Sequence, residues 1–95
     1  MAAYLIANIE LTDQAAYAEY NRQTPAVVTT YDGRFLARGG TAEMLEGEIR
    51  PHRMAILEFP DMARLKAFYR SPEYQALAAI RRRASRASFI AVEGV

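Results

Sequence analysis

The sequence predicts an α+β domain of the ferredoxin-like type, with element order β-α-β-β-α-β and a four-stranded antiparallel sheet covered by helices on one face. Three observations carry this prediction. Short runs rich in β-branched and aromatic residues alternate with stretches whose apolar residues recur every three or four positions. The length of 95 residues allows a single domain, residues 1–95. A composition of 52% hydrophobic and 24% charged residues is typical of a chain that folds around a core.

The first third of the chain predicts one strand and an interrupted helix. Residues 3–9 (AYLIANI) are a short apolar run, and the Thr12-Asp13 pair suits a helix N-cap. Aromatic and apolar residues then follow helical spacing up to Tyr31. Pro25 has no amide hydrogen, so we expect it to begin a second helical segment rather than to lie inside one helix. The Asp32-Gly33 pair is expected to end the helical region.

The middle of the chain predicts a long, bent hairpin. The strand at Arg34–Arg38 is followed by two glycines, and a strand-like stretch resumes at residues 43–46 before the strand at Arg53–Phe59. Gly39-Gly40 begins no helix, so a phosphate-binding loop of the helix N-terminal kind is excluded. We expect these glycines to form a β-bulge that bends the strand.

The last third predicts two helical segments and a final strand. A helix starts after Pro60-Asp61, and Ser71-Pro72-Glu73 restarts it with an N-cap serine and a first-turn proline. Residues 88–93 are expected to form the fourth strand.

Alternation along the strands divides the sheet into two faces. One set is almost purely apolar and is expected to face the helices: Ala3, Leu5, Ala7, Ile9, Phe35, Ala37, Gly39, Ala55, Leu57, Phe59, Ile90 and Val92. The other set mixes apolar and polar residues, as the wall of a semi-polar cavity or a partner-covered sheet does: Tyr4, Ile6, Asn8, Arg34, Leu36, Arg38, Met54, Ile56, Glu58, Phe89, Ala91 and Glu93.

Arg38 and Glu58 are expected to form a cross-strand ion pair on the mixed face. Two interpretations of this pair are open. In the structural one it holds the sheet in register. In the functional one Arg38 binds an anion and Glu58 acts as a general base, while Tyr4 and Asn8 orient a small ligand. His52, the only histidine, is a third catalytic candidate, although a lone loop histidine is usually exposed and idle.

The last helix contributes two further candidates. Tyr74 and Arg81 lie on the same helical side as Leu77, so Arg81 can reach inward along its aliphatic stem. The ligand-binding candidates are therefore Tyr4, Asn8, Arg38, Glu58, Tyr74 and Arg81.

Composition excludes several classes of function. The chain has no cysteine, so thiol chemistry is absent and a reducing cytoplasm suits it. No metal cluster or cofactor motif is visible, and we expect no metal and no cofactor. The first residues, MAAYLIANIEL, have no basic stretch and only a short apolar run, so we expect neither a signal peptide nor a membrane span there. Residues 61–86 carry a net charge of +5, but the strand at 53–59 lacks the stacking aromatics of an RNA-binding sheet, so we expect no nucleic acid partner.

The stretches GRFLARGG (33–40), LEG (45–47), EFP (58–60), SPEYQ (71–75) and VEG (92–94), in this order, resemble a small bacterial family, domain of unknown function 1330. That family belongs to the dimeric α/β-barrel superfamily, so the resemblance implies a homodimer that packs sheet against sheet. It implies no single reaction, because relatives include cofactor-independent monooxygenases, isomerases and stress-related proteins. The chain is expected to bind or convert a small aromatic or anionic molecule, or else to be a non-catalytic dimer.

Overall fold

A computed structural model describes residues 1–95 and confirms the predicted fold. The strands are β1 (Ala3–Leu11), β2 (Arg34–Arg38), β3 (Arg53–Phe59) and β4 (Ser85–Glu93), and the helices are α1 (Gln14–Thr30), α2 (Met62–Arg70) and α3 (Pro72–Ala84). The strands form one antiparallel sheet in the order β2-β3-β1-β4. None of the helices combines the length and the apolar character that crossing a membrane requires.

The core lies between the helices and one face of the sheet. Alternate residues of β1, from Ala3 to Ile9, are almost fully buried. Aromatic side chains from α2 and α3 cover them, with the rings of Phe68 and Tyr74 centred 4.5 Å apart and that of Phe59 5.2 Å from Phe68. Phe59 also explains the glycine at position 33, where a Cβ would lie 2.5 Å from the Phe59 ring.

Side-chain caps begin the three helices where the sequence predicts. Asp13 accepts a hydrogen bond from the Ala16 amide and Asp61 one from the Arg64 amide. Ser71 separates α2 from α3, since its hydroxyl accepts from the Tyr74 amide and donates to the Phe68 carbonyl.

The expectation that Pro25 begins a second helical segment is wrong, because α1 runs unbroken from Gln14 to Thr30. Pro25 cannot donate to the carbonyl of Asn21, four residues earlier, so the helix leaves that oxygen without its usual partner. The Arg38 guanidinium donates a hydrogen bond to this oxygen. An interior proline therefore creates an acceptor on α1 for a side chain from the sheet.

The hairpin also differs from the prediction. Phe35 lies opposite Leu57 but Ala37 opposite Ile56, so the bulge falls at Leu36 and not at Gly39-Gly40. Residues 43–46 form no strand, and the whole segment 39–52 lacks regular secondary structure. The hairpin is short, and its two strands are joined by a long irregular segment.

β4 begins earlier than predicted and its faces are reversed. It pairs with β1 from Ser85 onward, with Phe89 opposite the buried Ala7, so Phe89 faces the helices. Ile90 and Val92 lie on the other side and are 61% and 45% exposed. β4 carries large apolar residues on both of its sides, so hydrophobicity alone could not choose between the two alternations of this edge strand.

We call the sheet side away from the helices the outer face. A row of apolar residues crosses all four of its strands: Ala37, Ile56, Ile6 and Ile90. More polar rows flank it, one of which contains the ion pair between Arg34 and Glu58, with 2.7 Å between nitrogen and oxygen. An apolar centre with a polar margin is the usual anatomy of a protein interface.

Candidate functional site

Two arginines donate hydrogen bonds to the same uncharged side chain, that of Asn21, where β2 and β3 approach α1. Nη2 of Arg38 donates to Oδ1 of Asn21 at 3.0 Å, and Nη2 of Arg53 donates to the same oxygen at 3.2 Å. Neither arginine takes part in a salt bridge. We call these three residues the mouth cluster, and its two positive charges are held together without a carboxylate to offset their repulsion.

The irregular end of β2 positions both guanidinium groups. The bulge shifts the alternation of β2, so Arg38 lies opposite the buried Ala55 and on the helix side of the sheet. Gly39 has a positive φ of 74°, and a Cβ at that position would overlap Nη1 of Arg53. Aromatic rings lie beneath both cations: Phe35 is 4.7 Å from Arg38 and Tyr17 is 5.7 Å from Arg53.

The mouth cluster opens into a cavity between the helices and the sheet. Fifteen residues line it, namely the mouth cluster, Thr24 and eleven aliphatic or aromatic residues, three of which are tyrosines. No carboxylate lines it. The free volume is about 30 Å³, enough for one or two water molecules, so a larger ligand must first widen the cavity.

A pair of tyrosines forms the polar interior of the cavity. The hydroxyl groups of Tyr20 and Tyr74 are 2.7 Å apart and hydrogen-bonded. Burial raises the pKa of both phenols, and the nearby positive charge of Arg81 opposes this rise without cancelling it. Both hydroxyls therefore remain protonated at neutral pH.

Arg81 of α3 lies inside the fold, as its spacing from Leu77 predicts. Its residue is only 5% exposed, its guanidinium lies 4.2 Å over the ring of Phe89, and its Nε has no hydrogen-bond partner. The next two arginines of α3, Arg82 and Arg83, are exposed. A buried cation without a carboxylate is rare, because charges inside proteins are normally paired.

Because of the buried tyrosine pair, we expect the free energy of unfolding to fall at alkaline pH. In the unfolded chain Tyr20 ionises near its usual pKa of 10.0, whereas in the folded chain it stays protonated. Raising the pH above 10 therefore favours unfolding, by about 1.4 kcal/mol per pH unit for each such tyrosine. Denaturant titrations from pH 8 to 11 should show a shallower alkaline loss for Tyr20→Phe than for the wild type, and equal slopes would contradict the burial argument.

The predicted ion pair between Arg38 and Glu58 is wrong. Glu58 is opposite Arg34 and bonds to it at 2.7 Å on the outer face, with Tyr4 as its neighbour on β1. The bulge is the cause, because it turns Arg38 to the helix side. Arg38 therefore joins Tyr74 and Arg81 on the cavity side, while Glu58 and Tyr4 lie on the opposite side of the sheet.

Asn8 and His52 are hydrogen-bonded, but the bond joins the Asn8 side chain to the backbone of His52 and does not involve the imidazole. The Asn8 amide nitrogen donates to the Arg50 carbonyl and its oxygen accepts from the His52 amide, both at 2.8 Å. These bonds fix the end of the irregular segment 39–52 to β1. The predicted ligand or catalytic roles of Tyr4, Asn8, His52 and Glu58 would need a second site, away from the cavity.

Three residues of the site, Asn21, Arg53 and Tyr20, are not predicted from the sequence. Two signals were present in the sequence. Arg53 is a lone cation in the otherwise apolar alternation of β3, and Pro25 marks the carbonyl of Asn21 as free. Helical spacing places Tyr20 on one side of α1 together with other aromatic and apolar residues, and it is buried there, but nothing in that spacing indicates that its hydroxyl bonds to that of Tyr74.

Comparison with protein families gives a match over residues 2–95 to DUF1330, a domain of unknown function. The chain belongs to the DUF1330 family. No curated protein matches its sequence. Membership in the family agrees with the predicted resemblance and brings no established reaction with it.

Solved structures show the same fold at low sequence identity. RPA0582 of Rhodopseudomonas palustris, a protein of unknown function, is 21% identical with a TM-score of 0.76, and the match covers 99% of this DUF1330 chain and 82% of that one. SnoaB of Streptomyces nogalater, a cofactor-independent oxygenase, is 11% identical with a TM-score of 0.68 and coverages of 99% and 93%. A dimeric ferredoxin-like protein of unknown function from Jannaschia sp. CCS1 is 16% identical with a TM-score of 0.67 and coverages of 99% and 100%.

Proposed function

We propose that this DUF1330 protein binds a small organic anion with an aromatic or conjugated body in the cavity between its helices and its sheet. One observation carries the proposal: Arg38 and Arg53 share the neutral Asn21 at the mouth of a cavity that no carboxylate lines. An anionic group placed between the two guanidiniums would relieve their repulsion and accept charge-assisted hydrogen bonds, each contributing about 1.5 to 3 kcal/mol.

The cavity wall favours a flat, apolar body behind the anionic group. Tyr17, Tyr20, Phe35 and Phe89 contribute aromatic surface, and aromatic rings pack well against such walls. The free volume is too small for a benzene ring, so binding requires side chains to move. Arg38 is exposed and is followed by the irregular segment 39–52, which makes the mouth the place where movement costs least.

Calorimetric titration with matched pairs of ligands tests the proposal. Benzoate and benzamide have the same ring and shape but differ in charge, as do other aromatic carboxylates and their amides. We expect each acid to bind at least tenfold more tightly than its amide, and this preference to shrink as salt is added. Equal affinity for acid and amide, or binding of neither across the series, would refute the proposal.

A second candidate function is oxidation of an electron-rich phenol or quinol by oxygen without a cofactor. The likeness in fold to SnoaB supports it, together with the buried cation and phenol donors that could stabilise an ionised substrate. Oxygen consumption by the protein with a series of hydroquinones, compared with the same protein carrying Tyr74→Phe, is the test. If oxygen uptake does not exceed the uncatalysed rate, the oxidation proposal is wrong and only the binding proposal stands.

The proposal includes a cytoplasmic homodimer that joins through the outer face. Similar structures from Jannaschia sp. CCS1 and Bacteroides fragilis are described as dimeric, and the apolar row from Ala37 to Ile90 supplies a surface that a second copy would cover. The polar rows beside it would form the rim. In such a dimer the two cavities lie on the far sides of the paired sheets and stay accessible.

A further inference from the structure

Arg81 is a buried cation that forms no salt bridge. It is 5% exposed and its Nε, which is inaccessible to solvent, has no hydrogen-bond partner. Its guanidinium lies over the ring of Phe89, 4.2 Å away, and its charge and hydrogen-bonding groups reach the Tyr74 phenol, but no carboxylate pairs with it. Charges this deep are normally compensated, so the site is incomplete without an acceptor.

The groups around Arg81 add donors and no negative charge. Tyr20 and Tyr74 share one hydrogen bond, so one of their two hydroxyl hydrogens remains to be given to another acceptor. The other ionisable neighbours of this pair are Tyr17 on α1 and Tyr69 on α2, which are also phenols. Helices α1, α2 and α3 therefore all contribute tyrosine side chains here, and α3 adds one cation.

We propose that Arg81, Tyr20 and Tyr74 form an interior oxyanion site, which binds the ionised phenol or enol oxygen of the ligand. This inference rests on the proposed function, because the ligand body would occupy the same cavity. It narrows the ligand class to hydroxylated aromatic acids or their enolic counterparts, with a carboxylate at the mouth cluster and an oxyanion inside.

Phe89 is the side chain that must move for an oxygen to reach Nε of Arg81. It lines the cavity and also lines an open groove of about 300 Å³ between α2 and β4. The groove provides space into which the Phe89 ring can rotate. Binding of the phenolate form releases the phenol proton to the buffer, so the charge balance closes without any co-reactant.

The test uses 4-hydroxy-3-nitrobenzoate, whose colour reports whether its phenol is ionised. It is added at a pH about one unit below the pKa of the free probe. We expect binding to the wild type to raise the ratio of phenolate to phenol about tenfold, and calorimetry in two buffers to show proton release. Arg81→Met should still bind the probe through its carboxylate but lose the colour change, and Arg83→Met, an exposed neighbour on the same helix, should behave as wild type.

The outcomes separate this inference from the proposed function. If the wild type binds benzoate but holds the probe as the phenol, or if Arg81→Met keeps the colour change, the oxyanion site is wrong and the proposed function stands. If the wild type binds neither compound, both are wrong. Tyr74→Phe provides a second variant should Arg81→Met fail to fold: it is expected to reduce the colour change, and an undiminished change would overturn the site.

Discussion

Replacing both Arg38 and Arg53 by methionine is expected to weaken the binding of benzoate by about a hundredfold and to leave the binding of benzamide within about twofold. The reason is that both guanidiniums converge on Oδ1 of Asn21 and no other charged group lines the cavity. Methionine keeps much of the length and apolar contact of the arginine stem, so the variant isolates the charge. Calorimetric titration measures both affinities.

The double variant has a matched control and a clear contrary result. Arg83→Met removes an exposed charge from α3 and should leave both affinities unchanged. Stability of the double variant should change by no more than about 1 kcal/mol, since the change removes like-charge repulsion and the free Asn21 carbonyl can bind water. An unchanged affinity for benzoate would contradict the role of the mouth cluster.

Ile90→Asp is expected to convert the proposed homodimer into monomers. Ile90 lies at the end of the apolar row and is 61% exposed in the single chain, so it is free to be covered by a second copy. In a two-fold symmetric interface one substitution introduces two carboxylates, and burying an unpaired charge costs several kcal/mol. We expect the dimer dissociation constant to rise by roughly a thousandfold or more, which sedimentation velocity or light scattering would detect.

Ala79→Asp is the control for this prediction, because Ala79 is an exposed residue of α3 on the other side of the molecule. It adds the same charge without entering the outer face and should leave the dimer intact. The monomeric Ile90→Asp chain should keep a similar helix content by circular dichroism. A dimer that survives Ile90→Asp would show that the copies associate through another surface.

The fold could be predicted because local signals agree along the chain. Caps at Asp13, Asp61 and Ser71 begin the helices, and the alternation in β1 gives its buried face without ambiguity. The inward placement of Arg81 followed from helical spacing alone, because the period of α3 fixes which side packs against the core.

The candidate site could not be predicted as fully, because it depends on an irregularity. A single extra residue at Leu36 reverses the face on which Arg38 lies, and no sequence pattern gives the position of that bulge. Pro25 predicts a break in the helix, whereas α1 continues through it and Arg38 donates a hydrogen bond to the carbonyl that the proline leaves free. The wrong face for Arg38 and the wrong break at Pro25 share a cause. Both concern the contact between Arg38 and the Asn21 carbonyl, which joins two segments far apart in the sequence and cannot be predicted from either segment alone.

The glycine pair after Arg38 also has a different meaning from the predicted bulge. Gly39 takes a left-handed conformation and leaves the space that the Arg53 guanidinium occupies, while Gly40 has open space around it. The stretch RFLARGG thus forms a strand with an early bulge and an end that brings two arginines to one cavity mouth. The alternation of side chains along a strand predicts which face each residue lies on. It does not predict that the Arg53 guanidinium occupies the space that a Cβ at Gly39 would take.

The most direct test of the anion-binding account is a titration of the isotope-labelled 10.7 kDa protein with benzoate, followed by two-dimensional NMR. The account predicts that the largest shifts fall on the side-chain amide of Asn21, the guanidinium signals of Arg38 and Arg53, and the backbone amide of Gly39, with no comparable shifts for benzamide. Shifts confined to the outer face or to the exposed arginines of α3, with the signals of the mouth cluster unmoved, would contradict it.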